Sequence, residues 1–116
     1  VVNQREADRD IPKLLATPAA KRFVSYEPAL GPINWWEIPV PGTHGEMCDF
    51  RKIDQIIIGG ESGSNRREMN IGHARSVIAQ CKAAGVPIFV KQDSGPRPGM
   101  QGRFTDEEWS LKEFPA

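Results

Sequence analysis

Two carboxylates, a lysine, two amides and a hydroxyl stand where short apolar runs end. Glu27 closes Phe23-Val24-Ser25-Tyr26, Glu61 and Ser62 follow Ile56-Ile57-Ile58-Gly59-Gly60, Lys91 and Gln92 close Val86-Pro87-Ile88-Phe89-Val90, and Asn3 follows Val1-Val2. A carboxylate at a strand end can act as a base, accept hydrogen bonds or hold a ligand. Equally, it can cap the next turn. A lysine there can hold a phosphate, a carboxylate or an acidic side chain such as Glu61; a plain structural ion pair is as ordinary an outcome. Asn3 can sit on the rim of a site or simply form a turn. Gly59 and Gly60 let the backbone bend sharply and let a ligand come close.

These groups can act together only if the strands carry them to one rim. Ile56-Ile57-Ile58 is a continuous β-branched run, the pattern of a strand buried on both faces of a parallel sheet. Helices are expected on either side of it. Ala7, Ile11, Leu14 and Leu15 share one face between Arg5 and Ala16, with Pro12 predicting a break near Asp10-Ile11. Ala74, Val77, Ile78, Cys81 and Ala84 share a face of a second helix, which Asn70 caps and Gly85 stops. Arg75 lies off that stripe and is expected to face water. The resulting class is α/β: parallel β-α-β units forming a half or partial (β/α) barrel from four strands, Val1-Val2 being the end of the first. Right-handed crossovers put all strand carboxyl ends on one side. Asn3, Glu27, Gly59, Gly60, Glu61, Ser62, Lys91 and Gln92 are therefore the expected ligand-binding residues, with no catalytic residue assigned.

Residues 1–116 read as a single partial-barrel domain. Pro and Gly punctuate the stretch from Ala29 to Lys52, so residues 34–52 read as an insertion whose Trp35-Trp36 pair needs cover: a lid, a partner-binding segment or a patch over the barrel edge. Residues 94–103 are Gly/Pro-rich and expected to be mobile. Thr105 with Glu108 forms a capping-box pattern for a short helix, and Phe114 begins an apolar tail expected to dock. The chain opens at Val1 rather than at a methionine, and a fragment of a longer protein is expected.

Fifteen Lys and Arg balance fifteen Asp and Glu, so no global pull toward nucleic acid or membrane is indicated. Between Glu61 and Arg103, however, seven basic residues face three acids, which makes a small anionic ligand plausible there. Cys48 and Cys81 have no metal spacing, and the pair His44 and Cys48 alone is weak evidence for a metal. With no membrane span or signal peptide visible, a reducing cytoplasm is expected.

Three runs in order, Arg22-Phe-Val-Ser-Tyr-Glu-Pro-Ala-Leu-Gly-Pro-Ile33, Ile56-Ile-Ile-Gly-Gly-Glu-Ser-Gly63 and Cys81-Lys-Ala-Ala-Gly-Val-Pro-Ile-Phe-Val-Lys-Gln92, together with the Trp109 to Pro115 ending, resemble the carboxyl-terminal half of a phage- and prophage-associated family of unknown function. The resemblance implies a (β/α) barrel of radical-SAM type whose amino-terminal half carries a cysteine motif for an iron–sulfur cluster. That motif has no counterpart in this sequence, so the cofactors it implies, SAM and a cluster, belong to the longer protein, and none is expected in this chain. A Gly-Gly-Glu motif near an early strand helps hold SAM in such enzymes; Gly59-Gly60-Glu61 lies on a late strand, and that role is not carried over.

Two functions follow, beside a structural alternative in which the four strands and their apolar helices form a small doubly wound domain complete in itself. In the first, the chain is the substrate-facing half of such an enzyme, inactive alone, with Glu27, Glu61 and Lys91 at its mouth. It would pair with its missing amino-terminal half or with a second copy as a homodimer. In the second, it is an anion- or nucleic-acid-binding assembly module of phage origin. Few aromatic residues lie among the basic loops to stack on bases, which weakens that alternative.

Overall fold

In the computed structural model, which describes residues 1–115, three of the short apolar runs become parallel strands. They are β1 (Phe23–Tyr26), β2 (Gln55–Gly59) and β3 (Ile88–Gln92), ordered β1-β2-β3 with β2 central. Around them stand α1 (Gln4–Ala16), α2 (Ile71–Ala84) and the short α3 (Asp106–Trp109), with one 3-10 turn at Phe50–Lys52. The architecture is mixed α/β with a three-stranded parallel sheet. The expected fourth strand is absent among the described residues. Val1 and Val2 nonetheless run along the outer edge of β1: the amino terminus donates to the Ser25 carbonyl at 2.8 Å, and the Val2 carbonyl accepts from Leu30 and Gly31.

Strand register divides the sheet into two unlike faces. Val24, Ile56 and Ile88 lie level, as do Tyr26, Ile58 and Val90, and all six are buried. Successive side chains alternate in direction, so Phe23, Ser25, Gln55, Ile57, Phe89 and Lys91 share the opposite face. There Ser25 and Lys91 are exposed, Ile57 and Phe89 are half-buried, and Phe23 is 52% exposed. The tail covers part of this face. Leu111 and Glu113 hydrogen-bond along β3, Gln55 donates to the Glu113 carbonyl at 2.6 Å, and the Phe114 ring meets Phe89 edge-on at 5.6 Å.

The stretch between β1 and β2 packs into the core. Ala29, Ile33, Trp35, Ile38, Cys48, Phe50 and Ile53 are all buried. Trp35 contacts the Tyr26 ring edge-on at 6.0 Å, while Trp36 packs on Phe50 and stays partly exposed. Gln80 of α2 fixes this cover: its amide nitrogen donates to the Ile33 carbonyl at 2.8 Å and its oxygen accepts from the Trp35 backbone N–H at 2.7 Å. In a crossover without a helix, these side chains do the covering that a helix's apolar face would do.

Local chemistry sets the helix ends. Asn70 accepts from Gly72 at the start of α2, and Gly85 ends it in the left-handed region at φ 73°. Thr105 and Glu108 form the expected capping box. The predicted break in α1 is absent: the helix runs through Pro12. Pro12 takes away one hydrogen bond to the preceding turn, but Ala7 and Ile11, both buried, hold the helix on the core.

Candidate functional site

Glu27 and Lys91 leave the two outer strands and meet above the central one, with Nζ 2.9 Å from Oε2. Outer strands flanking a third lie about 10 Å apart, so the pair must cross β2. Gly59 leaves the room: a methyl group there would lie 3.1 Å from Glu27 Oε2. Ser25 Oγ donates to Glu27 Oε1 at 2.8 Å and holds the carboxylate from below. A cis peptide joins Glu27 to Pro28. Lys91 thus binds Glu27, and the alternative partner Glu61 is engaged elsewhere. Arg67 donates to both Glu61 oxygens, through its side chain and its backbone N–H. The Arg67 side-chain hydrogen bonds lower the Glu61 pKa, and its backbone donor adds to this.

Gly60 is a packing glycine: a methyl group on it would fall 2.6 Å from the Ser94 nitrogen. Gln92 is buried and ties two loops together. Its amide nitrogen donates to the Gly60 carbonyl at 2.7 Å, and its oxygen accepts from Gly99 at 2.9 Å. Alternation at the end of β3 therefore sends Lys91 to the open face and Gln92 inward. Asn3 caps α1, accepting from Glu6 at 3.0 Å.

Glu27, Pro28, Gly60, Glu61, Ser62, Asn65, Arg66 and Gln92 line one cleft of about 340 Å³ at the carboxyl end of the sheet. The structure thus brings Glu27, Gly60, Glu61, Ser62 and Gln92 together, with Gly59 and Lys91 against Glu27. Asn3 is outside the cleft lining. Both cleft carboxylates already hold a cation. The polar groups left for a ligand are the Ser62 hydroxyl, the Asn65 amide and Arg66, whose guanidinium donates to the Gly63 carbonyl.

Sequence reasoning missed the residues that brace this rim. Asp93, next to Gln92, is 1% exposed and accepts from the Arg103 side chain at 2.8 and 2.9 Å and from its backbone N–H at 2.7 Å. Arg103 also donates to the Met69 carbonyl at 2.6 Å, joining the segment 94–103 to the loop before α2. The only signal was an acid directly after a strand. Arg75 is exposed, as expected, and there it also pairs with Glu108 at 3.0 Å. Of the seven basic residues between Glu61 and Arg103, Arg67, Arg75, Lys91 and Arg103 are thus in ion pairs, and the outside acids Glu27 and Glu108 neutralise half of the local positive excess.

The donor set does not fit an iron–sulfur cluster. Cys48 and Cys81 are both buried, and burial pushes the Cys81 thiol up to about 12. A cluster needs several converging thiolates. Among the described residues, no group of three or more His, Cys, Asp or Glu could hold a metal ion. No helix among them is long and apolar enough to cross a membrane.

A family model described as a protein of unknown function (DUF5131) matches residues 1–109. No curated protein and no solved structure matches the chain.

Proposed function

The chain belongs to the uncharacterised family DUF5131, and from that premise we propose that it supplies the carboxyl-terminal strands of a larger (β/α) barrel whose ligand cleft lies at the Glu27–Glu61–Gln92 rim. One observation carries this reading. The sheet is parallel, yet only one of its faces is fully buried, and the other leaves Phe23 and Ser25 in water. Parallel sheets occur almost only with both faces covered. Closing a barrel turns the second face into a filled interior and places Lys91, Glu27 and the adjoining cleft at its mouth.

The reading extends to a cytoplasmic, phage-associated barrel of radical-SAM type. The cluster and SAM would then be held by segments outside this chain, because its own side chains do not make a cluster site. Its contribution is to position a small anionic ligand: Arg66 supplies a cation, Ser62 and Asn65 supply directional hydrogen bonds, and the Glu27–Lys91 pair stiffens one wall. The chain by itself is expected to be inactive. An amino-terminal half or, in its absence, a second copy covers the open face. The half-neutralised basic loops, with few aromatic side chains among them, give little support to a nucleic-acid-binding module.

The test compares SAM consumption under dithionite by this chain and by a longer family member reconstituted with iron and sulfide. The chain alone should leave SAM intact and the longer protein should consume it. Turnover by the chain alone would overturn the inactive-half reading. No turnover by the reconstituted longer protein would overturn the radical-SAM one.

A further inference from the structure

A second cavity, of about 550 Å³, shares no lining residue with the rim cleft. Pro12, Lys13, Leu15 and Ala16 of α1 form one wall; Val40, Pro41, Met47, Cys48, Asp49 and Lys52 form the other. Short pairing fixes the second wall. Pro39 and Met47 form an antiparallel bridge, Val40 donates to the Glu46 carbonyl at 2.9 Å, and Cys48 donates to the Ile38 carbonyl at 2.7 Å. The surface between the walls is mainly aliphatic, and Met47 is 48% exposed on it.

Two cations and one carboxylate line this cavity. Its carboxylate, Asp49, is committed to Arg51 through two hydrogen bonds of 2.8 and 3.0 Å. Lys13 and Lys52 are exposed and take part in no ion pair among the described residues. An aliphatic trough edged by two exposed ammonium groups that make no close ion pair complements a molecule with an apolar body and a single anionic head.

We propose that this groove binds a small amphiphilic carboxylate, its chain lying along Leu15, Val40 and Met47 and its head between Lys13 and Lys52. The volume lies within the range of small-molecule sites, which run from about 300 to about 1,000 Å³. The proposal is independent of the barrel reading.

Methionine methyl NMR reads the groove directly, because the chain has three methionines and they occupy different places. Met47 lines the groove, Met69 is buried in the core, and Met100 packs beside Gly95. The probe is decanoate below its micelle concentration. Acetate reports the head alone, and decyltrimethylammonium reports the chain with the opposite charge. Decanoate should shift Met47 saturably while Met69 and Met100 stay still, and acetate should do nothing. The cationic amphiphile should bind at least about tenfold more weakly, the equivalent of 1.4 kcal/mol. The double variant Lys13→Gln/Lys52→Gln, at two exposed positions, should weaken decanoate by a similar factor. A silent Met47, equal binding of the two amphiphiles, or a double variant that binds decanoate undiminished would each overturn the proposal. The amphiphile comparison uses the unmodified protein and so stands even if the variant folds poorly.

Discussion

Asp93 and Arg103 show how one buried charge can hold a rim. Burial acts to raise the Asp93 pKa, but the Arg103 side chain, with backbone donors from Arg103 and Ser94, outweighs it and leaves the carboxyl below its ordinary 3.8. The two partners are unequal: Asp93 is 1% exposed, whereas the Arg103 side chain is 42% exposed and can return to water. Arg103→Met leaves a carboxylate buried without its cation and should cost on the order of 3 kcal/mol. Asp93→Asn leaves a guanidinium that can be rehydrated and should cost less. Urea unfolding of both variants measures the difference; equal costs would contradict the asymmetry. The depressed pKa also fixes a pH dependence. Its stabilisation is fully present above the unfolded-state pKa and is lost as pH falls through the lower folded-state pKa. Stability should therefore fall as pH drops below about 4, and less steeply in Asp93→Asn than in the parent chain.

At the scale of elements, the long connection from β1 to β2 carries the core as a helix would. Trp35 is fully buried against Tyr26, and Gln80 anchors the surrounding backbone on α2. Trp35→Ala should cost about 3–5 kcal/mol, a large share of the about 5–15 kcal/mol that holds a domain folded. A urea midpoint close to that of the parent chain would mean that the segment is a detachable flap. The glycines at the end of β2 also belong to this scale. Gly59 lets the Glu27–Lys91 pair cross the central strand, and Gly60 lets the strand end pack on Ser94. Their positions were legible in the sequence, but what passes over them was not. Likewise, an open position on the carboxyl side of a strand was legible for Lys91. Its choice of Glu27 over Glu61 was not, because residues 64 apart in sequence meet only when both outer strands are in register.

For the whole molecule, the uneven cover of the sheet matters most. Phe23 is 52% exposed on a face that also carries Ser25 and Lys91, and the formal net charge is zero, so long-range repulsion between copies is weak. The chain alone should self-associate through that face. Phe23→Lys leaves the buried face intact and should shift the chain to monomer in light scattering with little change in urea midpoint. A parent chain that is already monomeric at working concentration would count against an open face that needs cover.

The sequence by itself determined whatever depends on a few neighbouring residues. Examples are the Asn70 and Thr105 caps, the left-handed stop at Gly85, the isoleucine run as a strand and the polar groups that end each strand. These follow from backbone hydrogen bonding and side-chain alternation within one element. Tertiary structure alone decided the partners: Glu27 with Lys91, Glu61 with Arg67, Asp93 with Arg103, and Trp35 beneath Gln80. It also decided that Phe23 faces water while Val24 does not. Charge pairing and burial depend on distances of a few ångströms between segments far apart in the chain, and the packing of the sheet sets those distances.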